Sequence, residues 1–240
     1  INCEGELDLG IEDNEGGQLA FTDSGHGTTD LHTALGSSCN VYFWQVALTI
    51  WREYKNDPEN EDILQQWARR FGLDEPTGID LPFENGGRVP DRQLYEDWAA
   101  STQGSLLLSP DRFTEAIWRG GDVMAIAIGQ GDVLATPLQM AVAFAALVNG
   151  GDVMQPRVVD RVISSDGQLV YDPGRSVART IEFTSEHERF VREDLTRVTN
   201  AGGTAASAFS VMQNPWQTGG KTGTAERDAS EYDTAWFVGV

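Results

Sequence analysis

Apolar positions along the chain fall into stretches of helical period separated by Gly- and Pro-rich breaks. The opening thirty residues, rich in Gly, Asp and Glu with little periodicity, predict an irregular surface segment. Thr29 and Asp30 then offer capping side chains for a short helix over 31–35. Gly36-Ser37-Ser38 interrupts it before a second helix from 40 to about 54, so Ser38 stands near a helix N-terminus. Asn60 can cap a helix through Phe71, where Gly72 and apolar Leu73 signal a Schellman-type stop. Pro76, Pro82, Pro90 and Pro110 predict a long ordered loop with short helical turns over 74–112.

Residues 123–128 read as strand-like, and Thr136-Pro137 caps a helix over 138–148 that Asn149-Gly150-Gly151 closes. The β-prone runs 158–163 and 168–171 flank Ser165-Asp166-Gly167 as a hairpin. Ser185 with Glu188 forms a capping box for a helix carrying Phe190, Val191, Leu195 and Val198 on one face, and strand signals resume after Trp216. The order is α+β, with a mainly helical part over 1–150 and hairpin, helix and strands over 151–240.

Composition narrows the function. With 37 acidic against 17 basic side chains and a net charge of −20, the chain lacks the basic clusters that recognise phosphate backbones or anionic membranes, so nucleic acid is excluded as a partner. The longest apolar run, 140–148, is far below the roughly 20 residues of a membrane span. Only Lys55 and Lys221 are lysine; every other basic residue is arginine. An acidic, lysine-poor surface fits an exported or salt-adapted protein. Both ends read as cut, since the chain opens at Ile1 and stops at Val240 inside an apolar, strand-like run.

Two motifs carry chemistry. In Gly219-Gly220-Lys221-Thr222-Gly223-Thr224-Ala225, small residues permit close backbone approach while a lysine sits beside two hydroxyls. Lysine, unlike arginine, can shift its pKa and pass protons. In Ser38-Cys39-Asn40, a hydroxyl and a carboxamide flank a break between helices. A dinucleotide reading of Gly129-Gln130-Gly131 fails, because Leu134 occupies the third glycine position.

S-x-N between helices followed by a distant K-T-G is the motif order of the serine penicillin-recognising acyl transferases. The blocks Gly25-His26-Gly27-Thr28-Thr29-Asp30-Leu31, Ala34-Leu35 through Ala47, Ile128 through Ala141, Gly202-Gly203-Thr204-Ala205 and Lys221 through Glu226 with Ala235 through Gly239 resemble the transpeptidase domain of an elongation-type class B penicillin-binding protein. The resemblance spans residues 25–240 and implies a serine β-lactamase/D,D-transpeptidase-like fold, a helical subdomain plus antiparallel sheet, here truncated at both ends. One departure is decisive for activity: the family's nucleophile lies in S-x-x-K, and the residues three before Lys55 and Lys221 are Arg52 and Thr218. The motif would fall before Ile1, so this chain alone is expected to be inactive.

The resemblance implies a parent that cross-links peptidoglycan stem peptides ending in D-Ala-D-Ala through a serine acyl-enzyme, and that β-lactams acylate. Ser38 would relay a proton to the leaving amine, Asn40 would bind the substrate amide, and Lys221 would supply positive potential. Thr222 and Thr224 would hold the terminal carboxylate, Gly223 would complete the motif, and the Thr224 N–H would donate to the oxyanion. No cofactor is implied for the chemistry. Some relatives carry zinc beside S-x-N at the spacing of His26 and Cys39; with Ala20 at the position of another ligand, the candidate set is Cys3, Asp23, His26 and Cys39. A buried reduced cysteine beside a turn histidine is the alternative, and a Cys3–Cys39 disulfide ranks behind both. Expected partners are a membrane glycan polymerase and other elongation-complex proteins, at the extracytoplasmic face of the inner membrane, with the parent anchored by an N-terminal helix. A non-catalytic β-lactam-sensing or scaffold domain, and a serine β-lactamase, are the other readings.

Overall fold

A computed structural model describes residues 1–12, 18–101, 118–211, 216–225 and 232–240. The chain begins with strands rather than irregular backbone: β1 (Asn2–Cys3) pairs antiparallel with β4 (Gly27–Thr28), and β2 (Glu6–Glu12) with β3 (Gln18–Thr22). Leu7 and Leu9 alternate with Glu6 and Asp8, and with Phe21 they pack against the core. This period-two signal is real but short among glycines and acidic residues, which is why composition masks it.

Helix α1 (Leu31–Ser37) is capped by Asp30 Oδ1, which accepts the Thr33 N–H at 2.8 Å. It ends at Ser38, held in the left-handed region at φ 56°, and α2 (Asn40–Tyr54) starts two residues later. Helix α3 (Ile63–Arg70) begins after Asp62 instead of Asn60, whose carboxamide donates to Asp57 Oδ2. Its end has both bonds of the Schellman motif, Gly72 N–H to Arg69 O and Leu73 N–H to Ala68 O.

The long loop read from the prolines is shorter than expected, because α4 (Arg92–Ala100) forms behind an Asp91 cap that accepts the Leu94 N–H; residues 102–112 of that loop lie outside the described residues. The strand-like run 123–128 belongs to helix α5 (Gly120–Ala127), opened by a capping box in which Asp122 Oδ2 accepts the Arg119 N–H at 2.7 Å. A short apolar run has no period to separate strand from helix, and here the box at its start decides.

Helix α6 (Pro137–Val148) begins behind Thr136 as expected. The hairpin is β6 (Val162–Ile163) with β7 (Leu169–Tyr171), and β5 (Asp152–Met154) pairs with β8 (Val177–Thr180). Helix α7 (Ser185–Thr199) is capped by Thr184, one residue earlier than the predicted box: Thr184 Oγ1 accepts the His187 N–H, and Glu188 receives Arg192 instead of closing back on the cap. After α8 (Ala206–Ser210), β9 (Gly220–Ala225) and β10 (Thr234–Gly239) form an antiparallel pair registered Lys221↔Val238 and Gly223↔Trp236.

Two cores organise these elements. One joins α2 (Val41, Trp44, Leu48) to α5 (Val123, Met124) with Tyr95 and Trp118; the other packs Val142 and Ala146 of α6 on Val153 and Ile181. Between α6 and the preceding loop, Gln139 is fully buried. Its Nε2 donates to the carbonyls of Glu75 and Gly86 at 2.8 and 2.6 Å, while Oε1 accepts the Thr136 N–H at 2.9 Å. Gln139→Leu strands both carbonyls, and at about 1–3 kcal/mol for each buried unsatisfied group the loss is about 2–6 kcal/mol. Urea unfolding measures it, and a loss under about 1 kcal/mol would mean that water replaces the amide.

Candidate active site

The two motifs meet. Lys221 Nζ on β9 donates to Ser38 Oγ at 2.7 Å, across a sequence separation of 183 residues, and to the Thr222 carbonyl at 2.9 Å. Ser38 is presented by the left-handed turn between α1 and α2, a conformation rare for a side-chain-bearing residue. Lys221 follows two buried glycines. A Cβ on Gly219 would lie 3.0 Å from the Leu195 carbonyl carbon of α7, and one on Gly220 would lie 2.5 Å from Val238 O, so the strand approaches helix and partner strand only because both are glycine.

Lys221 is half-buried, and no carboxylate pairs with it among the described residues. Burial alone therefore lowers its pKa from the ordinary 10.5, because desolvation penalises the ammonium form. The site thus holds a cation that is less strongly protonated than a surface lysine.

The other residues of the motifs have separate partners. Asn40 is the first residue of α2, and its N–H donates to Asp23 Oδ2 at 2.6 Å. Thr222 Oγ1 is 2.6 Å from Thr204 Oγ1, and Gln130 Nε2 donates to the Thr224 carbonyl at 2.6 Å. Thr222 and Thr224 share one side of β9, since side chains alternate along a strand. Gly223 faces Trp236 in the ladder, where an added Cβ would meet the Trp236 Cβ at 3.4 Å. Neither Thr204 nor Gln130 carries a sequence signal for a role at the site. Their proximity to the K-T-G strand comes from tertiary packing, which the spacing does not encode.

The expected zinc ligands assemble only in part. Cys3, His26 and Cys39 bring their ligand atoms within 4.8 Å of one another, with Cys3 Sγ 3.3 Å from His26 Nδ1. Asp23 does not join them; its carboxylate serves the N-terminus of α2, where it meets the positive end of the helix. Cys3 and Cys39 are joined as a disulfide, the pairing ranked last from the sequence. Bonded sulfurs are not thiolates, so the group as it stands does not fit a zinc ion.

A serine hydrogen-bonded to a half-buried lysine, with two threonines on the lysine's strand, is an arrangement that serine acyl transfer can use. The family profile described as "Penicillin binding protein transpeptidase domain" matches residues 14–240, and the chain belongs to that family. It is 30% identical to the peptidoglycan D,D-transpeptidase MrdA of Acinetobacter baumannii over 205 residues, which is 85% of this chain and 26% of that protein. Against penicillin-binding protein H of Bacillus subtilis it is 30% identical over 212 residues, 83% of this chain and 26% of that one. The chain thus spans about a quarter of the length of these curated relatives.

Among solved structures it is similar to penicillin-binding protein PBP2 of Helicobacter pylori (26% identity, TM-score 0.69, all of this chain and 37% of that one). It shares the fold of Pseudomonas aeruginosa PBP2 solved with WCK 5153 (24% identity, TM-score 0.73, all of this chain and 47% of that one).

The lowered lysine pKa has a sign that can be checked. Below Lys221's folded pKa both folded and unfolded chains carry the proton and the desolvation penalty acts in full; as pH rises from there toward 10.5 the penalty is relieved and the fold gains stability. Heteronuclear NMR titration of the Lys221 side chain should place its midpoint below 10.5, and a midpoint at or above that value would contradict a desolvated site.

Proposed function

We propose that the protein carrying this segment is a monofunctional D,D-transpeptidase that cross-links peptidoglycan during cell elongation. The observation that supports this most directly is the Lys221–Ser38 hydrogen bond, which unites the S-x-N and K-T-G motifs at one point. The reaction runs through a serine of an S-x-x-K motif upstream of Ile1. That serine attacks the penultimate D-Ala carbonyl of a stem peptide, the C–N bond breaks, D-Ala leaves with a proton, and an amine acceptor resolves the acyl-enzyme.

The residues of this chain take complementary roles. Because Ser38 Oγ accepts from Lys221, its own O–H proton is directed away from the lysine and is available to the leaving amine; Lys221 then restores it. The Lys221 ammonium also attracts the substrate's terminal carboxylate, which Thr222 and Thr224 hold. The Asn40 carboxamide, at the start of α2, binds the substrate amide, and the Thr224 N–H supplies one of two oxyanion donors. Gly223 completes the K-T-G triplet on the opposite side of the strand from Thr222 and Thr224.

By likeness to its relatives, the parent would be anchored at the extracytoplasmic face of the inner membrane. Among the described residues no helix is long and apolar enough to cross a membrane. A solved neighbour is PBP2 of Helicobacter pylori in complex with MreC, at 26% identity and TM-score 0.66, and another comes from a peptidoglycan synthase complex coordinating polymerisation and crosslinking. They support a glycan polymerase and elongation-complex proteins as partners.

Structural zinc is compatible with this reading only if the Cys3–Cys39 pair is reduced, giving two thiolates with His26 and leaving a fourth position to solvent. Metal analysis after purification under reductant should then find one zinc per chain that Cys39→Ser removes; zinc-free reduced protein would end that reading.

The decisive experiment is labelling by a fluorescent penicillin, comparing the 240-residue chain with one extended upstream through S-x-x-K. The extended chain should label and the short one should not, and Ser38→Ala in the extended chain should slow acylation about 10²-fold or more. Labelling of the short chain would place the nucleophile elsewhere, and a folded extended chain that never labels would favour a non-catalytic module.

A further inference from the structure

We infer that Thr204 is a positioning residue of this site, a hydroxyl that orients Thr222 within the carboxylate-holding pair of Thr222 and Thr224. The inference rests on the transpeptidase reading above.

Thr204 lies between α7 and α8, in a turn whose backbone is fixed from two sides. Its N–H donates to the Gly36 carbonyl of α1 at 3.3 Å, and the next residue, Ala205, donates to the Val198 carbonyl of α7 at 2.9 Å. The turn closes this tightly because Gly203 has no side chain: a Cβ there would lie 2.1 Å from the Arg197 carbonyl oxygen. The Thr204 residue itself is exposed, and its Oγ1 stands 2.6 Å from Thr222 Oγ1. One residue thus contacts the helix that ends at Ser38 and the strand that carries Lys221.

The proton count gives the hydroxyl a purpose. A threonine hydroxyl has a single proton to donate and two lone pairs to accept with. In the free protein either threonine can be the donor of the pair. A bound carboxylate, an acceptor only, selects one direction: Thr204 donates to Thr222 Oγ1, which turns the Thr222 proton toward the anion. A chain of hydrogen bonds ending on a charge polarises each member and strengthens the last. Without the Thr204 proton, Thr222 loses the donor that orients it.

The test uses the full chain carrying S-x-x-K and a penicillin in two forms, the free carboxylate and its methyl ester, with second-order acylation rates measured for wild type, Thr204→Val and Thr204→Ser. Valine keeps the shape and removes the hydroxyl. Thr204→Val should slow acylation by the carboxylate form about tenfold or more, leave the ester rate within about twofold, and so collapse the carboxylate-to-ester rate ratio; Thr204→Ser should keep the ratio within about threefold of wild type. Equal losses for both forms would make Thr204 a structural clamp and overturn the inference, as would a Thr204→Val rate equal to wild type. If Thr204→Val does not fold, Thr204→Ala read by the same ratio decides. A wild-type chain that neither form acylates would overturn the transpeptidase reading itself, whereas a reactive wild type with an unchanged Thr204 variant removes only Thr204.

Discussion

The hydrogen bond from Lys221 to Ser38 depends on helix α7 holding the first helix and the last strand pair at a fixed spacing. On one side, Asp194 of α7 is fully buried and its Oδ1 lies 2.5 Å from His32 Nδ1 of α1, while a Cβ on Gly36 would come within 3.3 Å of the Arg197 side chain. On the other, Gly219 lies against the backbone of Leu195 and Thr196, and Thr199 Oγ1 donates to the Thr218 carbonyl at 2.7 Å. A carboxylate with no exposure is costly, and removing its partner typically costs about 3–5 kcal/mol. Its second oxygen, Oδ2, has no hydrogen-bond partner among the described residues, so the His32 imidazole and the Arg197 guanidinium, 2.5 and 3.5 Å from Oδ1, are the contacts that offset that cost. The site is therefore positioned by a helix that contributes no side chain to it.

Arginine and lysine divide labour accordingly. Arg69 bridges Asp74 and Asp91 at 2.8 and 2.6 Å and also donates to the Val89 carbonyl, so one guanidinium fixes both ends of the segment between α3 and α4. Arg179 of β8 donates to the Arg69 carbonyl and binds the second core to the same junction. These are fork-shaped contacts that an ammonium cannot reproduce. Lys221 occupies the opposite kind of place, desolvated and with no carboxylate partner among the described residues, where burial lowers the pKa of an ammonium and a guanidinium would stay charged.

How much of this was legible in the sequence depended on whether the signal was local. The helix over 137–148 could be read because Thr136, Pro137 and Gln139 announce its start within four residues, and the stop at Gly72 because a Schellman ending is written in adjacent positions. The α7 cap missed by one residue, since Thr184 and Ser185 are adjacent hydroxyls and only backbone geometry chooses between them. Helix α5 and the β2–β3 pair were misread where a short apolar run or a sparse alternation carried too little period. Ser38 and Lys221 were identified from the order of two triplets and the family they resemble. That they touch, and that Thr204 and Gln130 stand beside the same strand, arises from packing between segments far apart in the chain.

The Cys3–Cys39 bond extends the same logic to the other flank of the site. Cys39 separates Ser38 from Asn40, so linking it to β1 anchors the turn that presents both residues to the strand pair at the start of the chain. The neighbouring Asp23 holds the first N–H of α2, so the turn is fixed by a covalent bond on one residue and a charge-assisted hydrogen bond on the next. Against this anchored turn, Lys221 rides on a strand entered through Gly219 and Gly220, and the strand's carbonyl at Thr224 is steadied by Gln130. A serine kept in the left-handed region by its surroundings is strained on its own, and such strain persists only where the neighbouring structure over-determines the conformation. The disulfide, the Asp23 cap and the α7 scaffold are that over-determination, and they fix the geometry of the Lys221–Ser38 hydrogen bond.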